Sequence, residues 1–91
     1  MTTKALKQVF SASISNLSDL IVAKARVRRE FDDNLKKIYP QRFLVIVDGK
    51  PFKIEKEEDF DEFSKKLDEY FKVRNSQRKI ITVSLFSEII S

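Results

Sequence analysis

The sequence contains no cysteine and no histidine, and these two absences exclude whole classes of chemistry. Without cysteine, the chain forms neither disulfides nor thiolate metal sites. Without histidine, it lacks the usual general base near neutral pH, the imidazole ligand of zinc and every nucleophile arrangement that depends on histidine. We therefore expect a non-catalytic protein with no metal, no cofactor and no small-molecule substrate.

Glycine and long apolar runs are also scarce. Gly49 is the single glycine, and one glycine cannot build a loop that cradles phosphate. The chain has no apolar run long enough for a transmembrane helix, and its first residues lack the pattern of a secretory signal peptide. We expect a cytoplasmic protein that does not enter a membrane. The compact length and the lack of His, Cys and Trp also suit a viral accessory protein.

The composition fits a single small domain over residues 1–91. Apolar residues make up 42% of the chain and there are eight Phe, a content that favours a globular fold over disorder. The formal net charge is +4, but residues 43–71 are net acidic while both flanking stretches are net basic. Because the charge is bipolar, its total is a weak argument for nucleic-acid binding.

Residues 3–39 predict one long amphipathic helix. Their apolar side chains recur at spacings of three and four, which places them on one stripe of a helix. The stripe consists of Leu6, Val9, Phe10, Ile14, Leu17, Leu20, Ile21, Val27, Phe31, Leu35 and Ile38. Pro40 disfavours helical backbone at the preceding residue and marks the end.

A serine-rich span over residues 11–18 offers an alternative in which the helix is broken. Ser and Asn side chains bond to nearby backbone groups and disfavour a helix interior. Asn16 or Ser18 would then cap a second helix that starts at Asp19, and residues 4–14 would fold back as a short helix. The apolar stripe keeps its phase across the serines, which favours the continuous helix.

Residues 42–86 predict a ββαβ unit, followed by a tail over 87–91. Its elements are strands over 42–47, 50–54 and 79–86 and a helix over 57–72. The dipeptide Asp48-Gly49 is typical of a two-residue hairpin turn. Acidic residues fill the first turns of the helix, where the helix dipole favours negative charge, and their spacing matches no metal site.

Together these elements predict an α+β fold with a three-stranded mixed sheet. The strand over 42–47 is apolar on both faces, with Phe43 on one and Leu44 on the other, so we expect it in the centre, in the order 2-1-3. Pro51 cannot donate to a ladder, so its strand should be an edge. The helices are expected to cover both faces of the sheet.

A partner is predicted because the long helix exceeds its own domain. A helix of this length would extend about 50 Å, whereas a compact domain of this size has a radius of gyration of about 12 Å. Much of the stripe would then stay uncovered, so we expect a homodimer or a contact with another protein or assembly. The predicted interface is Phe10, Ile14, Leu17, Ile21, Lys24, Val27, Arg28, Phe31 and Leu35. Within it, Lys24 and Arg28 either cover apolar surface with their stems or form a polar layer that fixes dimer register.

Two basic groups support an alternative function in nucleic-acid binding, because clustered cations neutralise phosphates. The first group lies on the long helix and the second surrounds the last loop. Their members are Lys24, Arg26, Arg28 and Arg29, and Lys72, Arg74, Arg78 and Lys79. Acidic residues four positions from several of these cations fit an ordinary solvated helix face equally well.

From the sequence we therefore expect a small binding or regulatory protein that self-associates through its N-terminal helix. It would act as an adaptor or inhibitor of a larger assembly. The alternative is a nucleic-acid-associated regulator that binds phosphates through the two basic groups.

Overall fold

A computed structural model describes the backbone of residues 4–90 and the side chains of residues 6–88, and within them it shows two helices and four strands. In chain order these are β1 (Lys4–Ile14), α1 (Leu17–Leu35), β2 (Arg42–Val47), β3 (Lys50–Ile54), α2 (Glu57–Ser76) and β4 (Ile81–Ile90). The fold is α+β, as the sequence predicts.

The strands form one antiparallel sheet in the order β1-β4-β2-β3. β4 pairs with both β1 and β2, so the last strand along the chain lies between two strands that precede it. Each helix connects two strands that run in the same direction and are separated by one other strand. Because α1 packs against β1, α2 packs against β3 and the helices contact each other, both helices cover the same face of the sheet.

The core lies between this face and the two helices. Alternate residues of β2 and β4 are buried there, among them Val45 and Leu85, whose side chains have no exposed surface. The helices contribute Phe31, Phe60 and Phe63, and the rings of Phe31 and Phe60 stack with centroids 6.4 Å apart. The apolar spacing in both helices therefore reflects burial within this chain.

The predicted long helix over residues 3–39 is wrong, because residues 4–14 form β1 and α1 begins only at Leu17. Thr3 lies outside the described residues. The misleading pattern comes from a β-bulge at Val9, an extra residue that shifts the strand register between Gln8 and Phe10.

The bulge makes a strand resemble a helix in sequence. Leu6, Phe10 and Ile14 are four positions apart, as on one side of a helix, but the bulge puts Leu6 opposite Glu88 on one face of the sheet and Phe10 opposite Leu85 on the other. Beyond the bulge, small polar and apolar residues alternate with the period of two that is typical of a strand.

The chain breaks within the serine-rich span, and Asn16 caps α1. The Asn16 side-chain oxygen accepts a hydrogen bond from the backbone N–H of Asp19 at 2.9 Å. The Asp19 carboxylate in turn accepts from the backbone N–H of Ser15 at 3.0 Å and from its hydroxyl at 2.9 Å. This cap is the one considered for the broken helix, but the segment before it is a strand and not a short helix.

The predicted three-stranded mixed sheet is also wrong, although the three strands placed in the order 2-1-3 do neighbour one another in that order as β3, β2 and β4. β1 adds a fourth strand beside β4, and all neighbouring strands are antiparallel. The helices do not cover both faces, so Leu44 and Ile46 of β2 lie on a face without a helix and are only half-buried. The predicted tail over 87–91 is strand up to Ile90, where β4 pairs with the first half of β1.

The hairpin between β2 and β3 follows the sequence prediction. Asp48 and Gly49 have positive φ angles of 47° and 87°, as a type I′ turn requires. Val47 pairs with Lys50 directly beside the turn, and Pro51 lies on β3 at the edge of the sheet.

The capping bonds around Asp19 make the stability of the fold depend on pH. The backbone N–H of Ser15 is the main cause that lowers the pKa of Asp19 below its ordinary value of 3.8. A carboxyl group whose pKa is lower in the folded state stabilises the fold above the unfolded-state pKa, and this contribution disappears as the pH falls through the folded-state pKa. The cap should therefore be strongest near neutral pH.

We predict that Asp19→Ala lowers the thermal unfolding midpoint by several degrees at pH 7. The difference from the unsubstituted chain should shrink as the pH falls below the ordinary pKa of 3.8 and through the lower folded-state pKa of Asp19. Thermal unfolding followed by circular dichroism across this range measures the effect. Asp33→Ala, at an exposed position of the same helix, is the control. If Asp19→Ala lowers the unfolding midpoint by the same amount at low pH as at pH 7, the assigned role of the carboxylate is contradicted.

Candidate protein-binding edge of the sheet

One long side of β1 has no neighbouring strand among the described residues, because β1 is the first strand in the sheet order. The direction of its backbone groups follows from β4. The Asp48 N–H donates to the Thr82 carbonyl at 2.9 Å, so the backbone groups of Thr82 point toward β2 and those of Val83 point toward β1. Val83 pairs with Ala12, so the backbone N–H and C=O of Ser11 and Ser13 point away from the sheet.

This free edge carries no charged side chain over residues 8–14. Exposed edge strands usually carry charges, proline or a short length, which prevent pairing with other chains. The two lysines of β1, Lys4 and Lys7, and its bulge at Val9 would also protect an edge, but all three precede the regular segment over residues 10–14. The segment over residues 10–14 is therefore an unprotected edge.

The opposite edge of the same sheet is protected. β3 has only five residues and carries Lys50 and Lys53. Val47 and Lys50 flank the two-residue turn and form a hydrogen-bonded pair, so the nitrogen of the next residue, Pro51, points outward and has no hydrogen to donate. The two edges of one sheet thus differ in the features that control strand pairing.

A depression of about 560 Å³ runs along the free edge, between β1 and α1. Its wall includes Ser11 and Ala12 of β1 and Val22, Ala25 and Arg29 of α1. Val22 is 65% exposed, although it is a large apolar residue. A strand added beside β1 would therefore direct alternate side chains into a recess with small and apolar walls.

Charged residues flank this recess on α1. Asp19, Val22, Arg26 and Arg29 follow one another at helical spacings of three and four, so they share one side of the helix. The Arg26 guanidinium lies 4.9 Å from the centre of the Phe10 ring and 3.3 Å from the Glu30 carboxylate. The α1 side of the recess thus combines an acidic end with a basic end.

The fold buries some residues of the interface predicted from the sequence and leaves others exposed. Ile14, Val27 and Phe31 belong to the core and are at most 1% exposed. Leu17 and Ile21 are 60% exposed near the start of α1. Further members are Leu35, which is exposed at the end of the helix, and Phe10, which is half-buried beside the recess.

Lys24 and Arg28 of α1 form ion pairs with acidic residues of α2. The Lys24 ammonium contacts the Asp68 carboxylate at 2.9 Å, and the Arg28 guanidinium donates to Glu57 at 2.6 Å. The bond to Glu57 is the main cause that raises the pKa of Arg28 above its ordinary value. Arg28 also lies over the Phe60 ring at 5.0 Å. The two cations therefore form a polar layer within one chain.

The basic groups predicted to bind phosphate are partly engaged in ion pairs. The engaged members are Lys24, Arg26, Arg28 and Arg74. Arg74 lies 3.8 Å from the Asp48 carboxylate and donates to the Tyr70 hydroxyl. Lys72, Arg78 and Lys79 are exposed near the end of α2. Nucleic-acid binding stays a prediction, and half of its proposed cations already have acidic partners.

Within the described part of the chain, no group of acidic side chains has the arrangement of a metal site. Among those same residues, neither helix combines the length and the apolar character that a bilayer crossing requires. The acidic residues at the start of α2 have a local role, since the Asp59 carboxylate accepts from the backbone N–H groups of Glu55 and Lys56.

The free edge is not among the features predicted from the sequence, because residues 4–14 were assigned to a helix. The available signal was the alternation of Ser11, Ser13 and Ser15 with Ala12 and Ile14. A period of two over five residues indicates a strand with one polar and one apolar side.

No protein-family model matches this sequence, and comparisons with curated proteins and with solved structures give no significant match.

The outward direction of the Ser11 N–H predicts that proline is tolerated there but not at the next residue. In the monomeric chain at low protein concentration, Ser11→Pro should cost about 1 kcal/mol or less, similar to Ser11→Ala, because both lose only the hydroxyl contact with Ser84. Ala12→Pro removes a bond to β4 and should cost ~1–3 kcal/mol. Chemical denaturation of the three variants measures these costs. Equal destabilisation by both prolines would show that the edge is assigned incorrectly.

Proposed function

We propose that this chain is a non-catalytic binding protein that recruits a protein partner by strand addition at the free edge of β1. One observation carries the proposal: residues 8–14 of the β1 edge are uncharged and free of proline, whereas the β3 edge of the same sheet carries Pro51 and two lysines within five residues. Protection of one edge alone is what a protein needs if only the other edge is to accept a strand.

Strand addition would rely mainly on backbone hydrogen bonds. The N–H and C=O groups of Ser11 and Ser13 point away from the sheet and would bond to an extended segment of the partner. Every second side chain of that segment would enter the recess beside Val22 and Ala25. In this mode of recognition, backbone bonds supply affinity and the recess supplies specificity.

This proposal keeps the protein-directed function expected from the sequence but moves the contact. The fold interrupts the helix stripe, because Val27 and Phe31 are buried in the core and residues 4–14 form a strand, so β1 and the adjacent side of α1 take its place as the proposed contact surface. An adaptor or an inhibitor of a larger assembly is compatible with such an edge, since either one needs only a stable contact and no chemistry.

Chemical cross-linking in cells that naturally contain the protein tests the proposal. We expect Ser11→Pro to reduce the cross-linked partner at least tenfold, while Ser11→Ala retains it. Lys53→Pro is a matched control, because position 53 has an outward N–H on the opposite edge. This control should also retain the partner. Retention of every cross-linked partner by Ser11→Pro would overturn the proposal.

A further inference from the structure

We propose that the strand added at the free edge is β1 of a second copy. The two β1 strands would be antiparallel, with a twofold axis midway between the two Ala12 residues. This inference rests on the proposed function and names its partner. The resulting dimer would have one continuous eight-stranded sheet, with all four helices on the same face.

The register follows from which backbone groups are free. With the axis at Ala12, Ser11 of each copy lies opposite Ser13 of the other, and both pairs exchange two backbone hydrogen bonds. An axis at Ser13 would need the N–H of Ser15, which already donates to Asp19. An axis at Ser11 would place Ser13 opposite the bulge residue Val9. Only the axis at Ala12 uses both serines fully.

The side chains also fit this register. Ala12 of one copy would lie opposite Ala12 of the other in a non-hydrogen-bonded pair. In this kind of antiparallel pair the side chains are closer, which suits a small residue. Phe10 of each copy would lie opposite Ile14 of the other on the helix side. Ser11 would lie opposite Ser13 on the open side. No pair brings like charges together, because residues 8–14 are uncharged.

The charges on α1 become complementary across the axis. Arg26 lies level with Phe10, and Asp19 lies level with Ser15 because their side chains are bonded. Since Phe10 of one copy faces Ile14 of the other, Arg26 approaches Asp19 of the second copy. Val22 and Ala25 occupy the middle, where the two α1 helices face each other over the recess. The acidic and basic ends of α1 thus match in the antiparallel arrangement.

The absence of cysteine provides a direct test of the axis. Ala12→Cys introduces a single thiol that would meet its own copy, because the Cβ atoms of directly opposite residues are ~4.5–5.5 Å apart. Mild oxidation of the purified protein should convert most of the chain to a disulfide-linked dimer. Thr82→Cys, exposed on the interior strand β4, should give at least tenfold less dimer. Equal cross-linking of the two variants would overturn the register.

Charge pairs test the same register without a covalent bond. In the Ser11→Lys/Ser13→Lys double variant, the lysine at position 11 of each copy would lie opposite the lysine at position 13 of the other. Dimer affinity should therefore fall at least tenfold. In Ser11→Lys/Ser13→Glu, each lysine would face a glutamate and the dimer should persist. Light scattering over a concentration series should give twice the 10.7 kDa chain mass for the second variant and the unsubstituted protein.

A monomeric mass of the unsubstituted protein at every concentration would overturn self-pairing, as would equal affinities of the two double variants. Such a result is distinct from failure of the proposed function. Loss of a different cross-linked protein from Ser11→Pro in cells would still support strand addition at β1. Retention of all partners by that variant would reject both ideas.

Discussion

The fold depends on the burial of two helix stripes against a single face of one sheet. Phe31 of α1 and Phe63 of α2 enter the same apolar layer, and the Lys24–Asp68 contact spans the gap between the helices above it. Because both helices cover this face of the sheet, the opposite face has no helix, and Leu44 and Ile46 stay half-buried there. A two-layer domain of this length therefore has one open face and two edges, and the edges determine what can pair with it.

The parts of the fold that the sequence could predict are those with strong local signals. The hairpin is specified by Asp48-Gly49, and the start of α2 by its acidic first turn. The identity of β1 is set by partners far away in sequence, since the Ser11 hydroxyl contacts that of Ser84, 73 positions later. Apolar spacing alone could not separate a bulged strand from a helix at this position.

The candidate site shows the same division between local and distant information. The uncharged, alternating character of residues 10–14 can be read from the sequence, but their position at an edge follows from a strand order that the sequence does not state. The partners of Lys24 and Arg28 were also hidden, because Asp68 and Glu57 reach them only when α2 lies antiparallel to α1. The type of each side chain can be read from the sequence, but the contacts between distant residues cannot.

The position of β4 has a consequence for synthesis on the ribosome. A strand that belongs between β1 and β2 is translated after both of them, so the nascent chain holds β1 with two unpaired sides until β4 emerges. During this interval the uncharged segment of β1 has no native neighbour. Its serines can hydrogen-bond to water during this interval, whereas apolar side chains could not. The order of translation thus favours small hydroxyl side chains on this strand over apolar ones.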